Sequence, residues 1–181
     1  IRSGPIEVME FFGYACIHCY NFDPILAKWA REKGDSIKFI QTPALSSEYW
    51  RLLGRNFLTY QELGEHDEYH TPFFRAIHDG GRAFTDQESL SDFYEQLGGE
   101  KQAYIDAFNS VGVASELSKA DSMARRLKVA MVPSIVIQGK YLVRTSGSVG
   151  PKRMLDVMDY LLAKELAERS NQEPQTPAQQ N

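Results

Sequence analysis

The chain has 181 residues, 43% of them hydrophobic and 24% charged, with a formal net charge of −4 at pH 7. That length supports one domain, or one domain with a sizeable insertion, around a full hydrophobic core. The acidic balance argues against nucleic acid as a partner, because a phosphate-binding surface needs a basic excess, and no apolar run approaches the length of a membrane span.

The chain begins Ile1-Arg2-Ser3-Gly4-Pro5, without methionine and without a secretory signal, and so reads as a mature or trimmed form, with which a removed signal peptide is compatible. Ile6-Glu7-Val8-Met9-Glu10-Phe11-Phe12 is an apolar run admitting two glutamates and predicts a largely buried strand. Gly13-Tyr14-Ala15 predicts a turn, followed by a helix from about Cys16 to Lys33 that Gly34 stops. Phe22, Ile25, Leu26, Trp29 and Ala30 form its apolar face. Pro24 lies inside it, where a proline costs roughly 3 kcal/mol and usually kinks the helix. Ser36 to Gln41 predicts a second strand, completing a strand–helix–strand unit.

From Thr42 to Gly112 the pattern turns helical. Tyr49, Leu53, Phe57 and Tyr60 recur at helical spacing after Ser46-Ser47-Glu48, and Gly64 ends that run. Glu65 to Asp79 is less regular because Pro72 interrupts it. Thr85-Asp86-Gln87-Glu88 fits a capping box with Thr85 as N-cap, and a further helix spans Glu100 to Asn109. After Gly112, Val113, Leu117, Ala120, Ala124 and Leu127 mark an amphipathic helix. Ser134 to Gln138 and Tyr141 to Thr145 flank Gly139-Lys140 and predict a hairpin. Pro151 suits a first helical position, with Met154, Met158, Leu161 and Leu162 as the stripe. Ser170 to Asn181 predicts a disordered tail. The fold class is therefore α/β: residues 1–42 and 113–169 form one discontinuous βαβ–αββα domain, and residues 43–112 form an inserted helical one.

Both cysteines of the chain, Cys16 and Cys19, fall at the first strand-to-helix junction. The first turn of a helix has unpaired N–H groups and the positive end of the dipole, both of which favour thiolate at Cys16. Cys19, one turn on, can close a disulfide with it, and His18 between them can add positive charge or a hydrogen bond. A lowered thiol pKa stabilises the reduced form, so such a pair hands its disulfide on: an oxidant rather than a reductant. Cys16, Cys19, His66 and His70 could instead compose a Cys₂His₂ zinc site, but the gap from Cys19 to His66 is long and a chain of this size needs no metal to fold. His66, His70 and His78 otherwise read as helix-surface residues. A cis Val132-Pro133 would present the Val132 backbone to an extended peptide; an ordinary strand-entry proline is the alternative. Glu10 points to the face opposite Met9 and Phe11; buried under the disulfide it would have a raised pKa and exchange protons with Cys19, and otherwise it is a solvated strand charge.

The run Val8 to Pro24 resembles the active-site segment of the DsbA thiol:disulfide oxidoreductases, and Val132-Pro133 with Ile135 to Tyr141 resembles that family's cis-proline loop and hairpin. The helical block falls where the family inserts a helical domain into a thioredoxin fold. Ile17 stands where the family usually has proline, and Gln41 near where it often has lysine. The resemblance implies a periplasmic enzyme that donates its Cys16–Cys19 disulfide to reduced, folding secreted proteins, needs no further cofactor, and is reoxidised by a quinone-linked, DsbB-like membrane partner. It implies Cys16, Cys19, His18 and Glu10 as catalytic residues, and Ile17, Val132 and Pro133 as substrate-binding ones. A disulfide isomerase or reductase of the same fold, and a peptide-binding module without redox turnover, are the competing readings.

Overall fold

A computed structural model describes residues 4–146 and 149–172. The chain forms β1 (Ile6–Phe12), α1 (Ile17–Lys33), β2 (Ile37–Pro43), α2 (Glu48–Glu62), α3 (His66–His78), α4 (Gln87–Gln96), α5 (Lys101–Phe108), α6 (Val111–Arg126), β3 (Ser134–Ile137), β4 (Tyr141–Arg144) and α7 (Pro151–Gln172). The strands make one mixed sheet in the order β2-β1-β3-β4. β1 is internal: it pairs in parallel with β2, from Ile6↔Ile37 to Phe12↔Pro43, and antiparallel with β3, from Val8↔Ile137 to Phe11↔Ser134. This is a thioredoxin fold carrying an inserted helical domain.

The side-chain alternation along β1 divides the core. Ile6 and Val8 face α1 and α7, packing with Phe22, Leu26, Trp29, Met154 and Met158. Met9 and Phe11 face α6, packing with Met123, Ala124 and Leu127. Glu10 belongs to the first set by parity, so a carboxyl is built into the face that α1 covers. A third cluster fills the helical block with aromatic rings, and it takes in Phe12, Tyr14 and Cys19 from the β1–α1 junction together with Val113 and Leu117 of α6. The block is thus packed onto the cysteine segment rather than set apart from it.

Several local predictions shift when tertiary packing decides. α1 continues through Pro24 and α3 through Pro72. Each buries a row of large side chains (Phe22, Leu26 and Trp29; Tyr69, Phe73 and Phe74), and at about 1.5–3 kcal/mol per side chain that outweighs one proline. The α4 capping box uses Asp86 and Ser89, one residue on from the predicted Thr85 and Glu88: the Asp86 side chain accepts the Ser89 N–H at 2.8 Å. α6 starts ahead of Gly112, at Val111, because the Ser110 hydroxyl caps it by accepting the Val113 N–H at 3.0 Å. The hairpin turn places Gln138 and Gly139 at positive φ, one residue earlier than predicted. α7 runs to Gln172, so the start of the predicted tail is helical, and the rest of it lies outside the described residues.

Phe57 joins the two parts of the molecule. It is fully buried, with its ring 4.9 Å from Phe12 and 6.2 Å from Tyr14. Phe57→Ala is expected to lose about 3–5 kcal/mol of unfolding free energy in urea titration; a loss below about 1 kcal/mol would show that the block and the sheet do not share a core.

Candidate active site

Cys16 is the N-cap of α1, with extended backbone dihedrals, and its own sulfur accepts the Cys19 N–H at 3.2 Å. A thiolate here replaces the hydroxyl or carboxylate that usually satisfies this unpaired donor. The Cys16 N–H is held by the Gly13 carbonyl at 3.0 Å. Gly13 is required where it stands: a Cβ there would lie 2.1 Å from the Trp50 ring. Both cysteines are free thiols in this structure. Cys16 is half-buried and Cys19 is buried.

The two sulfurs are driven apart in acidity. The Cys19 thiol hydrogen bond, with smaller help from the backbone N–H groups of Cys19 and His18 and from the His18 charge, outweighs burial and lowers the Cys16 pKa to about 6. Burial, reinforced by the neighbouring Cys16 sulfur, pushes Cys19 far above the usual thiol range. At neutral pH the pair is therefore a thiolate at Cys16 and a thiol at Cys19.

The remaining predicted residues gather at the same place. Ile17 and His18 are exposed on the first turn of α1. The Val132–Pro133 peptide is cis, and the Val132 carbonyl lies 3.9 Å from Cys16 Sγ; Pro133 itself is buried. Glu10 is 1% exposed, which removes the solvated-charge alternative. Burial, with added repulsion from Asp23 and Cys16, raises its pKa to about 8 against a hydrogen bond from Gln41. That bond runs from Gln41 Nε2 to Glu10 Oε2 at 2.8 Å.

The histidines of α3 overturn their reading as surface residues. His70 is buried, with Nδ1 2.8 Å from the Tyr14 hydroxyl and Nε2 2.9 Å from the Asp23 carboxylate. His78 Nε2 donates to the Tyr14 carbonyl at 2.7 Å, and its ring stacks on Tyr20, whose hydroxyl donates to Asp79. His66 is half-buried, its ring 5.1 Å from Phe57. With both His70 nitrogens occupied, the Cys₂His₂ arrangement would require breaking at least one of these contacts. The signal was in the spacing: His66, His70, Phe74 and His78 recur every four residues, on the same face as buried apolar side chains. Asp23 and Tyr14 carried no comparable signal.

Comparison with known proteins adds the following. Residues 28–161 match the model of the DSBA-like thioredoxin domain. The thiol:disulfide interchange protein DsbA of Azotobacter vinelandii is 36% identical over 164 residues, 91% of this chain and 77% of that protein. The protein of the same name from Pseudomonas aeruginosa is 34% identical over 92% of this chain and 79% of its own length. The crystal structure of Pseudomonas aeruginosa DsbA superposes with a TM-score of 0.88 at 32% identity, covering 93% of this chain and 88% of that one. That of DsbA from Xylella fastidiosa gives 0.84 at 30% identity, over 91% and 88%.

Two outcomes follow for the dithiol protein. Thiolate absorbance in the far ultraviolet is expected to rise with a midpoint at about pH 6 and to vanish in Cys16→Ala; a midpoint near 9 would remove the proposed stabilisation of the thiolate. Glu10 has a folded pKa, about 8, above its ordinary 4.5, so its burial costs nothing below that lower value and progressively more up to the higher one. The stability advantage of Glu10→Gln over the parent, measured in urea, is expected to grow as pH rises through this interval.

Proposed function

The chain belongs to the DsbA-like thioredoxin-domain family and is a thiol:disulfide oxidoreductase working by dithiol–disulfide exchange, and from that premise we propose that it acts as an oxidase of reduced secreted proteins in the periplasm, through Cys16 and Cys19. The observation that carries this direction is the N-cap itself. Cys16 sulfur accepts the Cys19 N–H and has its pKa lowered to about 6, which favours the reduced state of the pair over its disulfide.

In the proposed cycle a substrate thiolate attacks Cys16 of the Cys16–Cys19 disulfide. A substrate–Cys16 bond forms, the Cys16–Cys19 bond breaks, and Cys19 leaves as a thiolate. Cys19 is buried and cannot hold that charge, so it takes a proton. Glu10, raised to about pH 8 beneath the pair, is the donor. The substrate's second thiolate then attacks its own sulfur in the mixed disulfide, and Cys16 departs as the stable thiolate. Two electrons pass from the substrate dithiol to the Cys16–Cys19 pair, which is itself the redox group. Reoxidation runs the exchange backwards: Cys16 thiolate attacks a disulfide of a quinone-linked, DsbB-like membrane partner and displaces one partner sulfur. Cys19 gives its proton to Glu10 and attacks Cys16, which closes the Cys16–Cys19 bond, releases the second partner sulfur and passes two electrons to the partner.

Substrate docks beside Cys16. Val132, with its carbonyl 3.9 Å from Cys16 Sγ, offers backbone to an extended peptide, and the exposed Ile17, next to Cys16 in the chain, offers an apolar contact. His18, exposed next to Cys16, adds its charge to the thiolate. Among the described residues no helix is long and apolar enough to cross a membrane.

The test is oxidation of a reduced two-cysteine peptide by the disulfide form. Cys16→Ser is expected to abolish it, at least a thousandfold below the parent. Reduced Cys19→Ser, offered the same peptide in its disulfide form, is expected to accumulate a peptide–Cys16 mixed disulfide as the Cys16 thiolate displaces one peptide sulfur, visible by mass spectrometry. Retained oxidation in Cys16→Ser, or an adduct on Cys19 when reduced Cys16→Ser is offered the disulfide peptide, would refute the assignment.

A further inference from the structure

Three of the four histidines of the chain lie in or against the cysteine segment, His70 and His78 through hydrogen bonds, yet only His18 is part of it. His70 is the one with both ring nitrogens bonded to that segment. Its partners flank the motif: Tyr14 precedes Cys16 in the β1–α1 turn, and Asp23 follows Cys19 one turn along α1. A carboxylate can only accept, so His70 Nε2 donates to Asp23, while Nδ1 and the Tyr14 hydroxyl share the second hydrogen bond. The ring is wedged among Phe12, Tyr14, Phe57 and Phe74, at centroid distances of 5.1 to 5.9 Å. It cannot drift without disturbing the core that joins the helical block to the sheet.

Asp23 matters to the chemistry because it shares a cleft wall with Gln41, whose Nε2 bonds Glu10 Oε2 at 2.8 Å, and a carboxylate so placed disfavours ionisation of Glu10. Its side chain, 14% exposed, stands in the wall of a cleft of about 1060 Å³ between α1, β2, α3 and α6, which Gln41 also lines. We propose that His70 is a positioning residue for the thiol–disulfide reaction: it holds the Asp23 carboxylate within electrostatic reach of Glu10, and so sets the protonation of the group that exchanges a proton with Cys19. The inference rests on the Cys19–Glu10 relay proposed above. Released from His70, the Asp23 carboxylate turns into the open cleft, and its influence on Glu10 falls with distance and with hydration. The other charged groups around the cleft are Glu7 on β1, Arg31 on α1, Asp67 on α3, and Glu116, Lys119 and Arg126 on α6. His66 is the titratable neighbour of His70 itself, with ring centroids 4.5 Å apart.

The experiment follows the Glu10 side-chain carboxyl by carbon-13 NMR in the dithiol protein, its signal assigned by its loss in Glu10→Gln. In His70→Phe, which keeps an aromatic ring in the cluster, the Glu10 midpoint is expected to fall by roughly half a pH unit or more. His70→Asn, too short to reach Asp23, is expected to give the same fall and serves if His70→Phe does not fold. His70→Gln, whose amide can still reach Asp23, is expected to stay near the parent. In an Asp23→Asn background, His70→Phe is expected to add nothing. A midpoint that stays in place in a folded His70→Phe or His70→Asn protein, or that moves equally with Asp23→Asn present, would overturn the inference. If Glu10→Gln leaves the rate and pH profile of peptide oxidation unchanged, the relay falls and the inference with it. A working relay with an unmoved Glu10 midpoint defeats the inference alone.

Discussion

The hydrogen bond from the Cys19 N–H to the Cys16 sulfur is the constraint on which the site depends. It satisfies one of the donors left open at the start of α1, so the helix and the thiolate stabilise each other. It also explains the spacing of the pair. The N–H that reaches an N-cap side chain belongs to the second or third residue of the helix, and here the third is the second cysteine. One geometric relation therefore caps the helix and places the second cysteine, whose thiol hydrogen bond, with smaller help from its N–H, lowers the pKa of the first.

Below that bond the site is graded by burial. Cys16 is half-exposed and ionises easily, Cys19 is sealed and resists ionisation, and Glu10 is sealed beneath α1 and held close to neutral pH. Gln41 supplies one uncharged hydrogen bond to Glu10. An amide lowers a carboxyl pKa less than a cation would, so Gln41 leaves Glu10 protonated up to about pH 8. Proton and electron movements can then occur within a few residues of one another, without charging the interior.

The helical block is the other side of the same machine. Its aromatic core runs continuously from α2–α5 through Phe57 to Phe12 and Tyr14, so the cysteine segment is part of that core rather than a loop above it. α3 fastens the segment at several points: His70 to Tyr14 and Asp23, His78 to the Tyr14 carbonyl and the Tyr20 ring, and Asp79 to the Tyr20 hydroxyl. An inserted domain with no cysteine of its own thereby reaches the residues on both flanks of the redox pair.

Much of the molecule could be read from the chain. β1, α1 and the cysteine pair between them follow from an apolar run, a turn and a helical stripe, all short-range signals that survive folding unchanged. So does the separation into a βαβ–αββα frame and a helical insert, since periodicity alone marks where strands give way to helices. Boundaries moved by a residue where two polar side chains competed for a cap, as at Thr85 and Asp86. What only the tertiary structure decided is the state of the groups whose partners lie far away in sequence. Glu10 owes its acidity to α1 and to Gln41, 31 residues on; Cys16 meets Val132 across 116 residues; His70 leaves the helix surface because Tyr14 and Asp23, 56 and 47 residues before it, close around it. Burial and desolvation are properties of the packed interior, and local sequence does not encode them.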